Sequence, residues 1–248
     1  MAQKDILGIV GGLGPLASAE FVKTIYEHNR GRREQDLPMV FMQSDPTFPD
    51  RTEALMAGDY ETLLDKLNKA LYGLCELGAS RVVICCITIH YLLPKLSPEL
   101  RRPVISLLDV IYELLAENPK RHLLISSTGA RKLMIYEMHS EWQRLKDRII
   151  MPDEKDQTLI HNGIYQIKKG RDISRMVQVL KSLLSKYDTD SFIAGCTEIH
   201  LLAKQFASPS LSGSIGCIDP LTAIAEGLAQ GRLWDAAANN NGRFIARG

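Results

Sequence analysis

Long hydrophobic runs are missing from this 248-residue chain: no apolar segment approaches the roughly 18 residues that a membrane-spanning helix needs. Met1 to Asp5 run straight into a strand-like segment and leave no room for a signal peptide. An excess of one charge is missing too. With 30 basic and 29 acidic residues the net charge is +1, which argues against a nucleic-acid or anionic-membrane partner. Short runs such as Lys168-Lys169-Gly170-Arg171 read, by charge alone, as a solvated surface. Cysteine is sparse: the five (Cys75, Cys85, Cys86, Cys196, Cys217) are an odd number without framework spacing, which excludes a disulfide scaffold. No CxxC pair or tight His/Cys cluster suggests zinc, so no metal is expected. Reduced thiols point to a cytoplasmic protein. What remains is 45% hydrophobic and 24% charged, ordinary for a globular protein whose core is large enough to need no staples.

Short apolar runs alternate with helical patterns. Residues 6–10, 39–43 and 81–85 read as strands, and 19–29 and 60–77 as helices, the second with Leu63, Leu64, Leu67, Leu71 and Leu74 on one stripe. The rhythm then restarts, with strands at 122–126, 148–151 and 191–194 and helices at 131–145 and 172–187. A last strand is expected at 215–218 and a last helix at 220–230, with Pro220 suited to its first turn. The tail from Ala236, with Asn239-Asn240-Asn241-Gly242, reads as a frayed end. This is βαβ order, so the expected fold is α/β: two similar three-layer domains, each with a parallel sheet, related by a pseudo-two-fold axis. Residues 1–105 plus 215–248 would form the first and 106–214 the second. Ligands of parallel α/β sheets bind at the carboxyl ends of strands, which places the chemistry in the cleft between halves.

One phrase is written twice. Val83-Ile84-Cys85-Cys86-Ile87-Thr88-Ile89-His90-Tyr91-Leu92 returns as Ile193-Ala194-Gly195-Cys196-Thr197-Glu198-Ile199-His200-Leu201-Leu202, offset by 110 residues. Superposing Cys86 on Cys196 also superposes Ile89 on Ile199, His90 on His200 and Leu92 on Leu202. A single cysteine at a strand end is most often a small buried hydrophobe, and Cys75, Cys85 and Cys217 are read that way. Two in a repeated phrase shift the balance to function. Facing each other across a cleft, Cys86 and Cys196 could act as an acid and a base on opposite faces of one carbon. His90 and His200, four residues later, either act near the thiols or pack locally. Glu198 has no carboxylate counterpart in the first copy, so the two sides differ chemically.

Two loops accompany the cysteines. Gly11-Gly12-Leu13-Gly14-Pro15 lies between the first strand and the first helix, where backbone can approach an anion closely. It is neither a dinucleotide fingerprint, since Ala17 stands where the third glycine belongs, nor a Walker motif. The loop from Ser44 to Glu53 is stiffened by Pro46 and Pro49 and presents Arg51, whose planar fork matches a carboxylate. Alone, Arg51 would read as a solvated first-turn residue behind an Asp50 cap.

Together, Gly12-Leu13-Gly14-Pro15, Asp45-Pro46 through Pro49-Asp50-Arg51-Thr52, Cys86-Ile87-Thr88-Ile89-His90 and Gly195-Cys196-Thr197-Glu198-Ile199 resemble the aspartate/glutamate racemase superfamily, in order and spacing over about residues 5 to 231. The Pro-Asp-Arg-Thr loop resembles the aspartate branch. The resemblance implies a cofactor-independent, two-base racemisation of a small acidic amino acid, with Cys86 and Cys196 catalytic, and commonly a homodimer. It implies that Arg51 and Lys168 bind a substrate carboxylate and that Thr88 and Thr197, with their backbone N–H groups, hold the other; Gly12, Leu13, Gly14, Thr52 and Glu198 complete the expected binding set. Ile87 departs from the family pattern, which usually has Asn there to orient the amino acid, and Ala130 and Leu133 stand where hydroxyl side chains are common. The alternatives are glutamate or a broader substrate range, a maleate-isomerase-like or decarboxylase-like activity, and a paralogue that binds a dicarboxylate without turnover.

Overall fold

The computed structural model describes residues 6–171, 173–206 and 215–231. The tail from Ala236, expected to fray, lies outside the described residues. Two four-stranded parallel sheets carry the fold. The first holds β1 (Ile6–Gly11), β2 (Met39–Ser44), β3 (Arg81–Ile84) and β4 (Val104–Ile105) in the order β2-β1-β3-β4. The second holds β5 (His122–Ser126), β6 (Ile149–Ile150), β7 (Ser191–Gly195) and β8 (Gly216–Ile218) in the order β6-β5-β7-β8. The equivalent strand order in both sheets is the internal duplication that the repeated cysteine phrase announces. The inner strands are continuous apolar runs because helices cover both faces.

The first half has α1 (Pro15–His28), α2 (Arg51–Met56), α3 (Glu61–Glu76) and α4 (Pro98–Arg101); α5 (Leu107–Glu117) follows β4. The second has α6 (Thr128–Lys132), α7 (Trp142–Leu145), α8 (Glu154–Lys168), α9 (Ser174–Lys186) and α10 (Ile199–Phe206); α11 (Pro220–Ala229) follows β8. Among the described residues no helix is long and apolar enough to cross a membrane.

Several expectations need correction. The segment 131–145 is not one helix. Met134 sits at φ 51°, the chain then turns Tyr136 and His139 inward, and only α6 and α7 are helical. Two helices of more than ten residues were not anticipated. α5 buries most of its surface and carries only a narrow acidic stripe, Asp109, Glu113 and Glu117, on an otherwise apolar helix. α8 does carry a stripe, Ile160, Ile164 and Ile167, behind an Asp153 cap that accepts from the Asp156 N–H at 2.8 Å. The element after Cys86 is a 3-10 helix, Thr88–Lys95, containing Pro94, which has no N–H to continue an α-helix. Cys217, read as buried, is exposed, whereas Cys85 is buried and Cys75 half-buried.

The last segment also divides differently from the sequence-based boundaries. β8 pairs with β7 in the second sheet rather than joining the first half, and only α11 crosses back, lying against α1. α5 makes the reverse crossing, packing on α7 and β8. Each half therefore lends its last helix to the other. Between them lies a shared core, in which Leu7, Phe21, Val83, Ile105 and Ile111 meet Leu124, Tyr136, Ile193, Ile218 and Ile224. Two outer cores flank it: Leu63, Leu67, Leu71 and Leu74 of α3 under the first sheet, and Ile160, Ile164, Leu180 and Phe192 in the second half.

A shared core makes the halves unfold together. Ile224→Ala, at a fully buried position, is expected to lower the unfolding free energy by about 2–5 kcal/mol. Tyr72→Ala, at a residue 60% exposed, should stay within about 0.5 kcal/mol. Urea unfolding followed by circular dichroism and tryptophan fluorescence checks both, and separated transitions for the two halves would contradict the shared core.

Candidate active site

The carboxyl ends of the central strands converge on one place. After β1 the chain turns sharply at Gly12, at φ +86°, where a Cβ would run into the Asp45 backbone. Gly12 N–H donates to Ser18 Oγ at 3.3 Å, so this amide is already occupied. After β3 comes Cys86 and after β7 comes Cys196, 8% and 7% exposed.

Cys86 faces a cation. Arg51 is buried as the first residue of α2, whose Asp50 cap accepts from the Thr52 and Glu53 N–H groups. Its guanidinium donates to the carbonyls of Pro49, at 3.0 Å, and Leu13. Burial alone would lower the Arg51 pKa, but the Cys86 sulfur, Asp50 and Glu198 around it raise it instead, so the charge is secure. Its Nε has no hydrogen bond among the described residues.

Cys196 faces an anion. Its Sγ donates to Glu198 Oε2 at 2.8 Å. Burial first, and then this carboxylate, push the Cys196 thiol well above its usual range, against an opposing pull from Lys168. Cys196 therefore rests as a thiol. Glu198 Oε1 stands 4.0 Å from Lys168 Nζ. Gly14 leaves room for this oxygen, since a Cβ on residue 14 would collide with Oε1. Lys168, at the end of α8, lies 4.5 Å over the Tyr165 ring. Burial would lower its pKa; Glu198, Cys196 and Cys86 more than offset that, and it stays charged.

The two halves are stitched across the site. Thr88 Oγ1 and Ser127 Oγ are 3.1 Å apart, and Thr197 Oγ1 donates to the Cys85 carbonyl at 3.2 Å. Thr52 packs on Gly129, and the Tyr165 hydroxyl donates to Asp50 Oδ2 at 2.7 Å. Burial, reinforced by that bond, raises the Tyr165 hydroxyl to about 12. Asp50 stays below the ordinary carboxylate range: burial opposes this, and the Tyr165 hydroxyl, the Glu53 N–H, Lys168 and Arg51 outweigh it. Below Cys196, the Tyr136 hydroxyl donates to the Gly195 carbonyl at 2.7 Å, and a Cβ on residue 195 would stand 2.6 Å from that hydroxyl.

The histidines hold backbone and helices rather than sulfur. His90 Nε2 accepts from the Leu107 N–H at 3.0 Å, so Nδ1 carries the proton and donates to the Cys86 carbonyl at 2.8 Å. Burial lowers its pKa to about 4, leaving it neutral. His200 bridges Asp219, at 2.6 Å, and Thr24, at 2.9 Å, joining α10 to α11 and α1.

Of the residues singled out from sequence, Cys86, Arg51 and Leu13 thus meet on one side, and Cys196, Glu198, Lys168 and Gly14 on the other. Thr88, Thr52 and Thr197 make cross-half contacts, and Gly12 shapes the turn. Asp50 as a bridge, Tyr165, Ser127 and Tyr136 were missed. Among the described residues no group of three or more His, Cys, Asp or Glu side chains is arranged to hold a metal ion.

Known structures share this fold. The aspartate racemase of Picrophilus torridus superposes with a TM-score of 0.76 at 21% identity, covering 91% of this chain and 94% of that one. An aspartate racemase homologue from Pyrococcus horikoshii gives 0.64 at 19% identity, covering 92% and 100%. The glutamate racemase of Campylobacter jejuni gives 0.55 at 18%, covering 91% and 85%. At these identities the likeness is one of fold. The Asp/Glu/Hydantoin racemase family model matches residues 10–228, nearly the whole described length. The chain belongs to the Asp/Glu/Hydantoin racemase family.

Proposed function

We propose that this chain racemises an acidic amino acid, aspartate first, by proton transfer between Cys86 and Cys196. The observation that carries this reading is the pairing of equivalent strand-end cysteines with unlike neighbours: a guanidinium beside Cys86 and a carboxylate on Cys196.

In one direction Cys86 acts as thiolate, with Arg51 as its countercharge. It takes the α-proton, so the Cα–H bond breaks and the Cys86 S–H bond forms. The electron pair spreads into the α-carboxylate as an enolate-like charge. Cys196 then gives its thiol proton to the opposite face of the planar carbon. The abstracted proton stays on Cys86, the new Cα–H bond holds the proton that Cys196 gave up, the configuration is inverted, and the thiolate now resides on Cys196, where Lys168 is its cation. The reverse turnover exchanges the roles. Arg51 and Lys168 supply positive charge for two carboxylates and for the developing enolate. Near burial of both thiols removes competing water, which strengthens each of these interactions. Ile87, beside Cys86, packs in the shared core and contributes no polar group.

Glutamate or a wider range of acidic amino acids is the near alternative on the same machinery. The same reading carries no cofactor, a homodimer and a cytoplasmic location, to which five unpaired cysteines are suited.

Incubated with L-aspartate in deuterated water, the protein is expected to exchange the α-proton while optical rotation decays. Cys86→Ala and Cys196→Ala should each reduce racemisation by about 10²–10⁴-fold, the usual contribution of a positioned acid or base. Activity surviving the loss of either cysteine would exclude the two-base mechanism, and no exchange with aspartate or glutamate would remove the substrate assignment.

Glu198 is expected to keep Cys196 protonated. In a Cys86→Ala background, the ultraviolet thiolate band of Cys196 should appear only above the ordinary thiol range. Adding Glu198→Gln removes a negative neighbour from the thiolate, so the titration should move to lower pH; an unmoved or raised midpoint would contradict the assigned hydrogen bond.

A further inference from the structure

Glu198 carries an oxygen that the fold leaves unused. Its side chain is 2% exposed, and Oε2 is taken by the Cys196 thiol. Oε1 has no hydrogen bond among the described residues, and Lys168 Nζ at 4.0 Å is beyond hydrogen-bond distance. An unsatisfied buried carboxylate oxygen is costly; Lys168 offsets part of its charge but leaves the oxygen without a donor. The chain even keeps residue 14 as glycine, where any side chain would fill the space Oε1 occupies. In the first half the position 110 residues earlier is Thr88, whose hydroxyl is satisfied by Ser127. The open acceptor is therefore on one side only.

The charges around it form a pattern. Setting the thiols aside, the site presents two cations, Arg51 and Lys168, and two carboxylates; Asp50 has both oxygens taken, by the Thr52 and Glu53 N–H groups and the Tyr165 hydroxyl, so Glu198 is the one anion with an oxygen left to answer a ligand. A zwitterionic amino dicarboxylate carries the mirror image: two carboxylates and one ammonium. A hydantoin ring offers neither carboxylate nor ammonium, and a plain dicarboxylate leaves the anion unanswered. Ile87, packed in the shared core, offers an ammonium no alternative acceptor on the Cys86 side.

We propose that Glu198 Oε1 is the acceptor for the substrate's α-ammonium, which makes this site selective for α-amino dicarboxylates over hydantoins and over dicarboxylates lacking the amino group. The proposal deepens the two-cysteine reading and rests on its placing the substrate between Arg51 and Lys168. An ammonium on Oε1 also draws the carboxylate's charge away from Cys196, easing formation of the thiolate there during the reverse turnover. Glu198 is thus a substrate-binding residue that tunes its neighbour.

Isothermal titration calorimetry on the intact protein tests this with L-aspartate, succinate (the same two carboxylates without the ammonium) and hydantoin. Wild type is expected to bind aspartate at least tenfold more tightly than succinate, and hydantoin not detectably. Glu198→Gln should bring the aspartate-to-succinate ratio close to one by weakening aspartate, with succinate unchanged or tighter because a facing anion has gone. Glu198→Asp, which keeps the charge, should preserve the preference and guards against a folding defect in the amide variant. An unchanged ratio in Glu198→Gln, equal binding of the two ligands by wild type, or no binding of aspartate would each overturn the proposal. The racemase reading fails separately: selective aspartate binding by wild type without α-proton exchange in deuterated water leaves Glu198 as the ammonium acceptor and removes only the turnover.

Discussion

The exchange of final helices between the halves is the constraint on which everything else depends. Because α11 packs on α1 and α5 on α7 and β8, the main apolar core of this protein lies between its two sheets rather than within either half. That core fixes the relative position of β3 and β7, and with it the geometry between Cys86 and Cys196. The two-base reaction proposed for this site tolerates little error in that geometry, since misplacement of a reacting group by about 1 Å can cost about 10²-fold in rate. The buried histidines serve the same purpose. His90 ties the end of β3 to the start of α5, and His200 ties α10 to both α1 and α11, so each repeated His belongs to the scaffold that holds its cysteine.

On this near-symmetric frame the electrostatics are asymmetric. Cys86 looks at a guanidinium and Cys196 at a carboxylate, although both follow equivalent strands. The asymmetry comes from few substitutions between the halves: Glu198 where the first copy has Thr88, and Gly14 to make space for it. A duplicated fold supplies two matched strand ends; Glu198, two positions after Cys196, gives one its carboxylate, and Arg51, from the helix after β2, gives the other its guanidinium.

Much of this was legible in the sequence, for identifiable reasons. β1, β2, β3, β5 and β7 are apolar runs bounded by turns, which periodicity detects well. α5 was missed although its apolar residues and the Asp109, Glu113, Glu117 spacing were there to read, and the 131–145 segment misled because Met134 adopts a left-handed conformation that no local pattern announces. α8 was missed although Asp153 and the Ile160, Ile164, Ile167 spacing were there to read. In the site, Cys86, Cys196, Arg51, Lys168 and Glu198 stood out through the repeat and the motif resemblance. Ser127, Tyr136 and Tyr165 did not, because each acts through a partner 39 to 115 residues away, and a separation of that kind leaves no local trace.

The hydrogen bond between Asp50 and Tyr165 has a kinetic meaning. It joins the loop before α2 to α8 beside Lys168, and both thiols lie nearly buried while it is made. On the racemase reading, an incoming molecule has to pass this contact to reach the thiols, and a product has to pass it again. Entry and exit past this contact then accompany the proton transfers in each turnover. For an interconversion whose two ends are equal in energy, how far one visit carries a molecule toward an even mixture then depends on whether that contact reopens before or after the protons move.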